Sequence, residues 1–284
     1  MNLSFLRILQ GILILTFGAS SLAAEFAIIG DAGRVNNKSK MVRESILRQS
    51  VTQLILPGDN IYSSSSTYQG VWGPWQNAGM TFDVVALGNH NNGYSNEMNF
   101  FKMPSEYYSK VVENARFIVL NSDHNSAGPQ QATWLERELT AATEPMIFLI
   151  YHHPTYTISR AHTWDERSKF QNAIRPVLWK YRPKITALIV GHDHLASLLH
   201  FNDLPVILSG AVQDVRKDKP VDNVQNEIRV KTAWYFDSTP HWAKLSWNQT
   251  GLAQVQFIRA SNDLVTCTAS LPTGAKALLH SDCR

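Results

Sequence analysis

Cysteine is almost missing from this 284-residue sequence: Cys267 and Cys283 are the only two. That excludes a zinc site built from cysteine, and no iron–sulfur cluster is implied. In an oxidising compartment the pair could close a loop worth about 3 kcal/mol on the entropic account; the other reading is two free thiols. Blocks of like charge are missing as well. The net charge is +3 with no basic stripe, so a nucleic-acid partner is not supported. There is no internal repeat, and the only low-complexity run, the serines at 63–66, is too short for a linker. "IIGDAGR" lacks the GxGxxG spacing of a dinucleotide-binding turn. Beyond the N-terminus no apolar stretch could span a bilayer. What is present is 44% apolar residues, ordinary for a globular protein, in a chain long enough for one large domain or two small ones.

The N-terminus reads as an export signal. Arg7 precedes an apolar run over 8–17 and then "GASSLAAE", which gives a positive region, an apolar region and a small-residue cleavage site. Cleavage after Ala23 fits best, with Ser21 and Ala23 at the small positions; after Ala24 is also open. The alternative is an uncleaved anchor, for which the run is short. The expected product is a single domain over 24–284, exported to the periplasm or secreted, with no stable membrane anchor. "NKS" at Asn37 and "NQT" at Asn248 are sequons only in a host that glycosylates.

Downstream, apolar runs alternate with helical patterns. "AEFAIIGDAG", "TQLILPGDN", "TFDVVALGNHNN", "ARFIVLNSDH", "PMIFLIYHHP", "ITALIVGHDH" and "LPVILSGA" read as short buried strands, with further strand-like segments around Trp234 and over 243–257. Residues 38–49 place Met41, Val42, Ile46 and Leu47 on one helical face. "PQQATWLERELTAA" turns Trp134, Leu135 and Leu139 inward, and 165–181 form another helix. Continuous apolar strands alternating with helices imply an α/β fold with strands buried on both faces. Such sheets bind ligands at the carboxyl ends of strands. Five strands here end in polar groups: Asp31; Asp59 and Asn60; Asn89 and His90; His152 and His153; His192 and His194. A single Asp at a strand end is usually a turn or a cap. Five such ends, three of them with histidine, point to one shared crevice.

Mixed Asp, Asn and His donors suit Fe, Zn or Mn. They are too many for one tetrahedral ion. Two ions about 3.5–4 Å apart, bridged by one carboxylate, use them better, as in phosphoryl transfer to water.

In order, "GDAG", "GDN", "GNHN", "HHP" and "GHDH" resemble the blocks of the calcineurin-like metallophosphoesterases: GDxG or GDxH, GDN, GNH, HxP and GHxH. They span residues 30–194. Most of that family carries His two residues after the first Asp. Gly33 stands there instead, and Tyr62 follows three residues after Asp59. That exchange, in a chain this short, resembles the purple acid phosphatases of the small, tartrate-resistant type. The resemblance implies two packed mixed β-sheets flanked by helices, an αββα sandwich. It implies a binuclear centre of Fe3+ with a divalent ion (Fe2+, Zn2+ or Mn2+). Asp31, Asp59, Tyr62 and His194 would hold the iron; Asp59, Asn89, His152 and His192 would hold the second ion. A phenol of pKa about 10 stays protonated unless a strongly polarising cation holds it as phenolate. His90 is implied to touch the phosphate. His162, ten residues beyond His152, stands one residue from where such phosphatases have a histidine near the leaving group. His153 is left as a structural neighbour, and Asn91, where the family often has Asp or Glu, weakens any relay there.

The implied reaction is hydrolysis of a small phosphate monoester by a monomeric acid phosphatase, metal-bound hydroxide attacking phosphorus in line. His90 or His162 would protonate the leaving oxygen. One alternative is a phosphodiesterase or nucleotidase of the same fold with two divalent metals. Another is an exported protein that stores metal or binds a partner without catalysis. Loops 63–81, 91–110 and 155–165 are expected to set substrate choice. Trp72, Trp75, Tyr94, Tyr107 and Tyr108 within them would line a pocket or simply pack.

Overall fold

The computed structural model describes residues 22–283 apart from 158, 160, 161, 163–165, 213–222, 226, 227, 237 and 238. Of the expected leader, residues 1–21 lie outside the described residues. The first elements are β1 (Leu22–Ile28), α1 (Asn37–Arg48), β2 (Gln53–Leu56), α2 (Tyr68–Gln76), β3 (Thr81–Val85), α3 (Tyr94–Phe101), β4 (Tyr108–Val112) and β5 (Ala115–Val119). Next come α4 (Gly128–Ala141), β6 (Met146–Ile150), α5 (Ser168–Tyr181), β7 (Ala187–Val190), β8 (Ala196–Phe201) and β9 (Leu204–Ser209). The C-terminal part adds β10 (Asn223–Gln225), β11 (Ile228–Phe236), β12 (His241–Asn248), β13 (Ala253–Arg259), β14 (Leu264–Leu271) and β15 (Leu278–Leu279).

These strands form two sheets, ordered β15-β14-β13-β12-β1-β2-β3 and β10-β11-β8-β9-β7-β6-β5-β4. Each has a parallel part: β1, β2 and β3 at one end of the first sheet, and β5, β6, β7 and β9 in the middle of the second. Antiparallel strands extend both, so the sheets are mixed, as the resemblance implies. The period-2 alternation of each central strand explains the layering. Phe26 and Ile28 of β1 join Phe148 and Ile150 of β6 in the layer between the sheets. Ala27 and Ile29 instead join α1 and α2, while Ile147 and Leu149 join α4 and α5. The inter-sheet layer is aromatic at its centre. Phe26 stacks on Trp247 at 5.5 Å and meets Phe117 of the other sheet at 5.6 Å.

Two segments expected as loops are partly helical. α2 and α3 occupy parts of 63–81 and 91–110. The sequence of α2, "YQGVWGPWQ", holds two glycines and a proline, which hides its helical period. Its Trp72 and Trp75 are 0% and 2% exposed, so both pack into the core. Among the described residues no helix is long and apolar enough to cross a membrane.

Cys267 and Cys283 are disulfide-bonded across a separation of 16 residues, which ties the C-terminal segment to β14. Closing a loop of that size is worth about 3 kcal/mol against the unfolded chain. Replacing both by serine is expected to lower unfolding stability by about that amount in a denaturant titration. Equal stability of wild type with and without reductant would refute the expectation.

Candidate metal centre

The site lies where the carboxyl ends of the two sheets meet, and hydrogen bonds stitch that seam. Gly30 N, beyond β1, donates to Ser209 O of β9 in the other sheet at 2.6 Å. Asp31, just beyond β1, accepts the His192 backbone N–H on Oδ2 at 2.9 Å. His152, just beyond β6, donates from Nδ1 to the Pro57 carbonyl at 2.9 Å. The seam forces unusual backbone. Asp31, Asp59, His192 and His194 have φ of 56°, 56°, 71° and 52°. Non-glycine residues seldom enter this left-handed region, at a cost on the order of 1 kcal/mol or more each, and they gather at functional sites.

Asp31, Asp59 and His194 offer donor atoms all within 4.8 Å of one another. Tyr62 joins them: its Oη donates to Asp31 Oδ1 at 3.1 Å and lies 3.0 Å from His194 Nε2. Burial, then the Asp31 and Asp59 carboxylates, push the Tyr62 phenol far above its ordinary value. Gly33 lets Tyr62 approach. A Cβ there would sit 2.3 Å from Ile61 N.

The second expected set is joined through Asp59. His152 Nε2 lies 3.1 Å from Asp59 Oδ1 and 3.1 Å from Asn89 Oδ1. Asp59 Oδ1 also accepts the His90 backbone N–H at 2.9 Å. Gly88 permits this packing, since a Cβ there would fall 2.3 Å from Asp59 Oδ1. His192 reaches the set from the His152 side, the two rings 5.0 Å apart. Burial opposes charge on His152, but Asp59 beside it raises the imidazole to about 9. Burial, reinforced by His152 and His162, lowers His192 to about 4.

His90 is exposed at the rim, its ring 4.6 Å from that of Tyr62. Arg34 stacks on the same phenol at 4.6 Å. His162 lies deeper, its ring 4.0 Å from His192. His153 is buried, with Nδ1 2.9 Å from Ser122 Oγ, and it offers a ring nitrogen within 4.8 Å of those of His152 and His192, so the structure also groups it with the ligands. Sequence reasoning missed Glu166, which bonds both His162 and His192. Its signal was present as the His-x-x-x-Glu spacing ahead of α5, but with no strand to mark it.

Asp31 and Asp59 are each 1% exposed. Burying two carboxylates beside a phenol and imidazoles calls for positive charge, and this donor set fits hard to borderline cations. A crevice of this kind at the joined edges of two mixed sheets is that of a two-metal hydrolase. The calcineurin-like phosphoesterase family matches residues 24–196, and the chain belongs to that family. It is a phosphoester hydrolase of a family that uses a binuclear metal centre. Mouse (Mus musculus) tartrate-resistant acid phosphatase type 5 is 24% identical over 252 residues, 70% of this chain and 75% of that protein. A probable glycerophosphodiester phosphodiesterase, GpdQ of Arcobacter nitrofigilis, is 22% identical over 170 residues, 54% of this chain and 62% of its own length. Among solved structures, GAP50, the anchor in the inner membrane complex of Plasmodium, superposes with TM-score 0.71 at 17% identity, covering 89% of each chain. Purple acid phosphatase PPD1 from yellow lupin (Lupinus luteus) seeds gives 0.69 at 15%, covering 89% of this chain and 54% of that one. At such identities these two likenesses show the fold alone.

Behind the crevice, Asn60 anchors the loop that carries Asp59. Its Nδ2 donates to Ala86 O at 3.0 Å and to Glu97 Oε1 at 2.7 Å. Tyr68 Oη donates to Glu97 Oε2 at 2.9 Å. Glu97 is 0% exposed. Burial pushes its carboxyl up to about 7, against the opposing hydrogen bonds from Asn60 and Tyr68. The native state therefore keeps this proton where the unfolded chain, near the ordinary value of 4.5, has lost it. The contribution to stability is full below about 4.5 and is lost as pH rises to about 7. Glu97→Gln keeps an acceptor for Asn60 and removes the titration. Its stability relative to wild type is expected to rise by about 3 kcal/mol between pH 4.5 and 7.5. A difference that does not change with pH, in denaturant titrations across that range, would show that Glu97 ionises normally.

Proposed function

We propose that this phosphoester hydrolase is a phosphomonoesterase of the purple acid phosphatase kind, acting as an exported monomer on small phosphorylated substrates at acid pH. The observation that carries the reading is Tyr62 Oη, 3.1 Å from Asp31 and 3.0 Å from His194, with a bare glycine at 33. Asp31, Asp59, Tyr62 and His194 would hold Fe3+; Asp59, Asn89, His152 and His192 would hold Fe2+, Zn2+ or Mn2+. When bound, such ions neutralise phosphate charge and make water nucleophilic at low pH. The chain's own groups do the rest. His152 is fixed in one tautomer by Pro57, which leaves Nε2 for the crevice. Exposed His90 holds the phosphate at the rim. His162, with Nε2 buried and unpartnered among the described residues, delivers the proton to the leaving oxygen. The leader over 1–23 and the disulfide both suit an oxidising compartment outside the cytoplasm.

A second reading is phosphodiester hydrolysis with two divalent ions, favoured by the 170-residue match to the probable glycerophosphodiester phosphodiesterase. Paired assays on a phosphate monoester and the matching diester decide between them. Faster diester turnover at saturating metal would replace the first reading with the second.

Metal-loaded, oxidised wild type is expected to be violet or pink, because phenolate on Fe3+ absorbs in the visible. Tyr62→Phe keeps the ring and loses the oxygen, so the variant should fold, be colourless and hold iron less tightly. Fully loaded wild type that is colourless and contains two divalent ions would end the iron assignment and leave the family assignment standing. His90→Ala should retain both ions and lose about 10²–10⁴-fold in turnover, most on poor leaving groups. Unchanged kcat on such a substrate would remove His90 from the chemistry.

A further inference from the structure

Glu166 lies outside every motif of the sequence, yet one of its oxygens meets each of two functional rings. Oε2 is 2.7 Å from His192 Nε2, and Oε1 is 2.9 Å from His162 Nδ1. Those rings are themselves 4.0 Å apart. The side chains of His192 and His162 are 11% and 17% exposed, against 33% for Glu166, so the pairing is set into the wall of the crevice. The turn that presents it is pinned. Arg167 takes a left-handed φ of 59°, and its guanidinium donates to Asp123 Oδ1 at 2.7 Å.

We propose that Glu166 is a positioning residue: one carboxylate that sets the tautomer of His192 for the second ion and of His162 for the leaving group. The inference rests on the metal-dependent reading above. A carboxylate only accepts hydrogen bonds, so each ring must present N–H to it. His192 then donates through Nε2 and keeps its lone pair on Nδ1, the nitrogen left for an ion. His162 donates through Nδ1 and keeps Nε2 for proton transfer, and Nε2 is the buried atom without a partner among the described residues. Carboxylates that orient metal-binding histidines in this way typically change metal affinity 10–100-fold. The present arrangement differs in sharing one carboxylate between a candidate ligand and a candidate acid. Disturbing it should therefore affect two properties that separate single-site roles would keep apart.

The sharpest variant is Glu166→Gln. Its amide nitrogen must face one ring, which puts the proton of that ring on the wrong nitrogen, and its uncharged oxygen holds the N–H of the other ring more weakly than a carboxylate does. The experiment uses holoenzyme, titrated with a chelator, with both metals quantified. Glu166→Gln is expected to bind the second ion about 10–100-fold more weakly while the first ion stays. At metal concentrations that restore full occupancy, turnover of an alkyl phosphate should remain depressed about 10²-fold, while an activated aryl phosphate, which needs no acid, recovers. Glu166→Ala, which imposes no tautomer, should do less harm than Gln on the metal readout, and circular dichroism with thermal melting checks that both variants fold. Wild-type affinity together with wild-type leaving-group dependence in Glu166→Gln would overturn the proposal. So would a second site in Glu166→Ala that no metal concentration refills, since Glu166 would then itself be a ligand. Wild type that binds no second ion overturns the metal-dependent reading and this proposal together, whereas normal wild type with unaffected variants overturns this proposal alone.

Discussion

The hydrogen bond from His152 Nδ1 to the Pro57 carbonyl crosses from one sheet to the other, and the candidate centre depends on that crossing. Its donors are split between the sheets. Asp31, Asp59, Tyr62 and Asn89 follow β1, β2 and β3, while His152, His192 and His194 follow β6 and β7. No loop alone could bring them together. The spacing between sheets is set by large side chains, among them the Phe26, Trp247 and Phe117 contacts at 5.5–5.6 Å. Close-packed interiors yield little, so the two edges are held in a fixed relation. The seam bonds then use the same atoms twice. The Asp31 carboxylate that faces Tyr62 also holds the His192 backbone, and the imidazole that faces Asp59 is oriented by Pro57.

That double use explains why the site tolerates conformations that would be unfavourable elsewhere. Four left-handed non-glycine residues lie at the ends of β1, β2 and β7. Each sits between a buried strand and a hydrogen bond that a relaxed backbone would break. Asp31 N to Gly58 O at 3.1 Å and His192 N to Asp31 Oδ2 at 2.9 Å are two such bonds. The buried core contributes far more than these residues take away, because strands such as β6 and β7 are buried along their whole length. The electrostatics have the same origin. Asp59 is held well below the carboxylate range despite burial, because His152 and the His90 N–H both face it. A cation in the crevice would take over the role those protons now play.

What could be read from the sequence was what is local. Each motif is a strand end, and a strand end needs only a run of apolar residues followed by glycine and a polar side chain. The α/β class and the convergence of Asp31, Asp59, Asn89, His152, His192 and His194 follow from that, whereas the two-sheet sandwich was implied only by the resemblance to the metallophosphoesterases. Tyr62 was legible only through the resemblance, which reads a tyrosine three residues after Asp59 together with glycine at 33. The supporting contacts were not. Glu97 meets Asn60 across 37 residues and Ser122 meets His153 across 31, and no spacing rule covers such pairs. Glu166 meets His192 across 26 residues for the same reason. α2 was hidden because its glycines and Pro74 erase helical propensity, while the burial of Trp72, whose indole N–H donates to Asn60 O at 2.8 Å, supplies what propensity lacks.

The exchange of histidine for glycine at 33 and the arrival of tyrosine at 62 are one change when viewed as packing. Gly33 N donates to Asp59 O and Gly33 O accepts from Tyr62 N, at 3.1 and 3.2 Å, so the loops after β1 and β2 run against each other backbone to backbone. A Cβ at 33 would fall 2.3 Å from Ile61 N and 2.5 Å from Asn60 C. Those neighbours are main chain and cannot turn aside. Any side chain at 33 must therefore push residues 60–62 outward. Tyr62 Oη would go with them, away from Asp31 and His194. A histidine at 33 and a tyrosine that reaches Asp31 from 62 are thus mutually exclusive on this backbone. The choice between an imidazole and a phenol at this corner is made by how closely two loops approach, before any metal is considered.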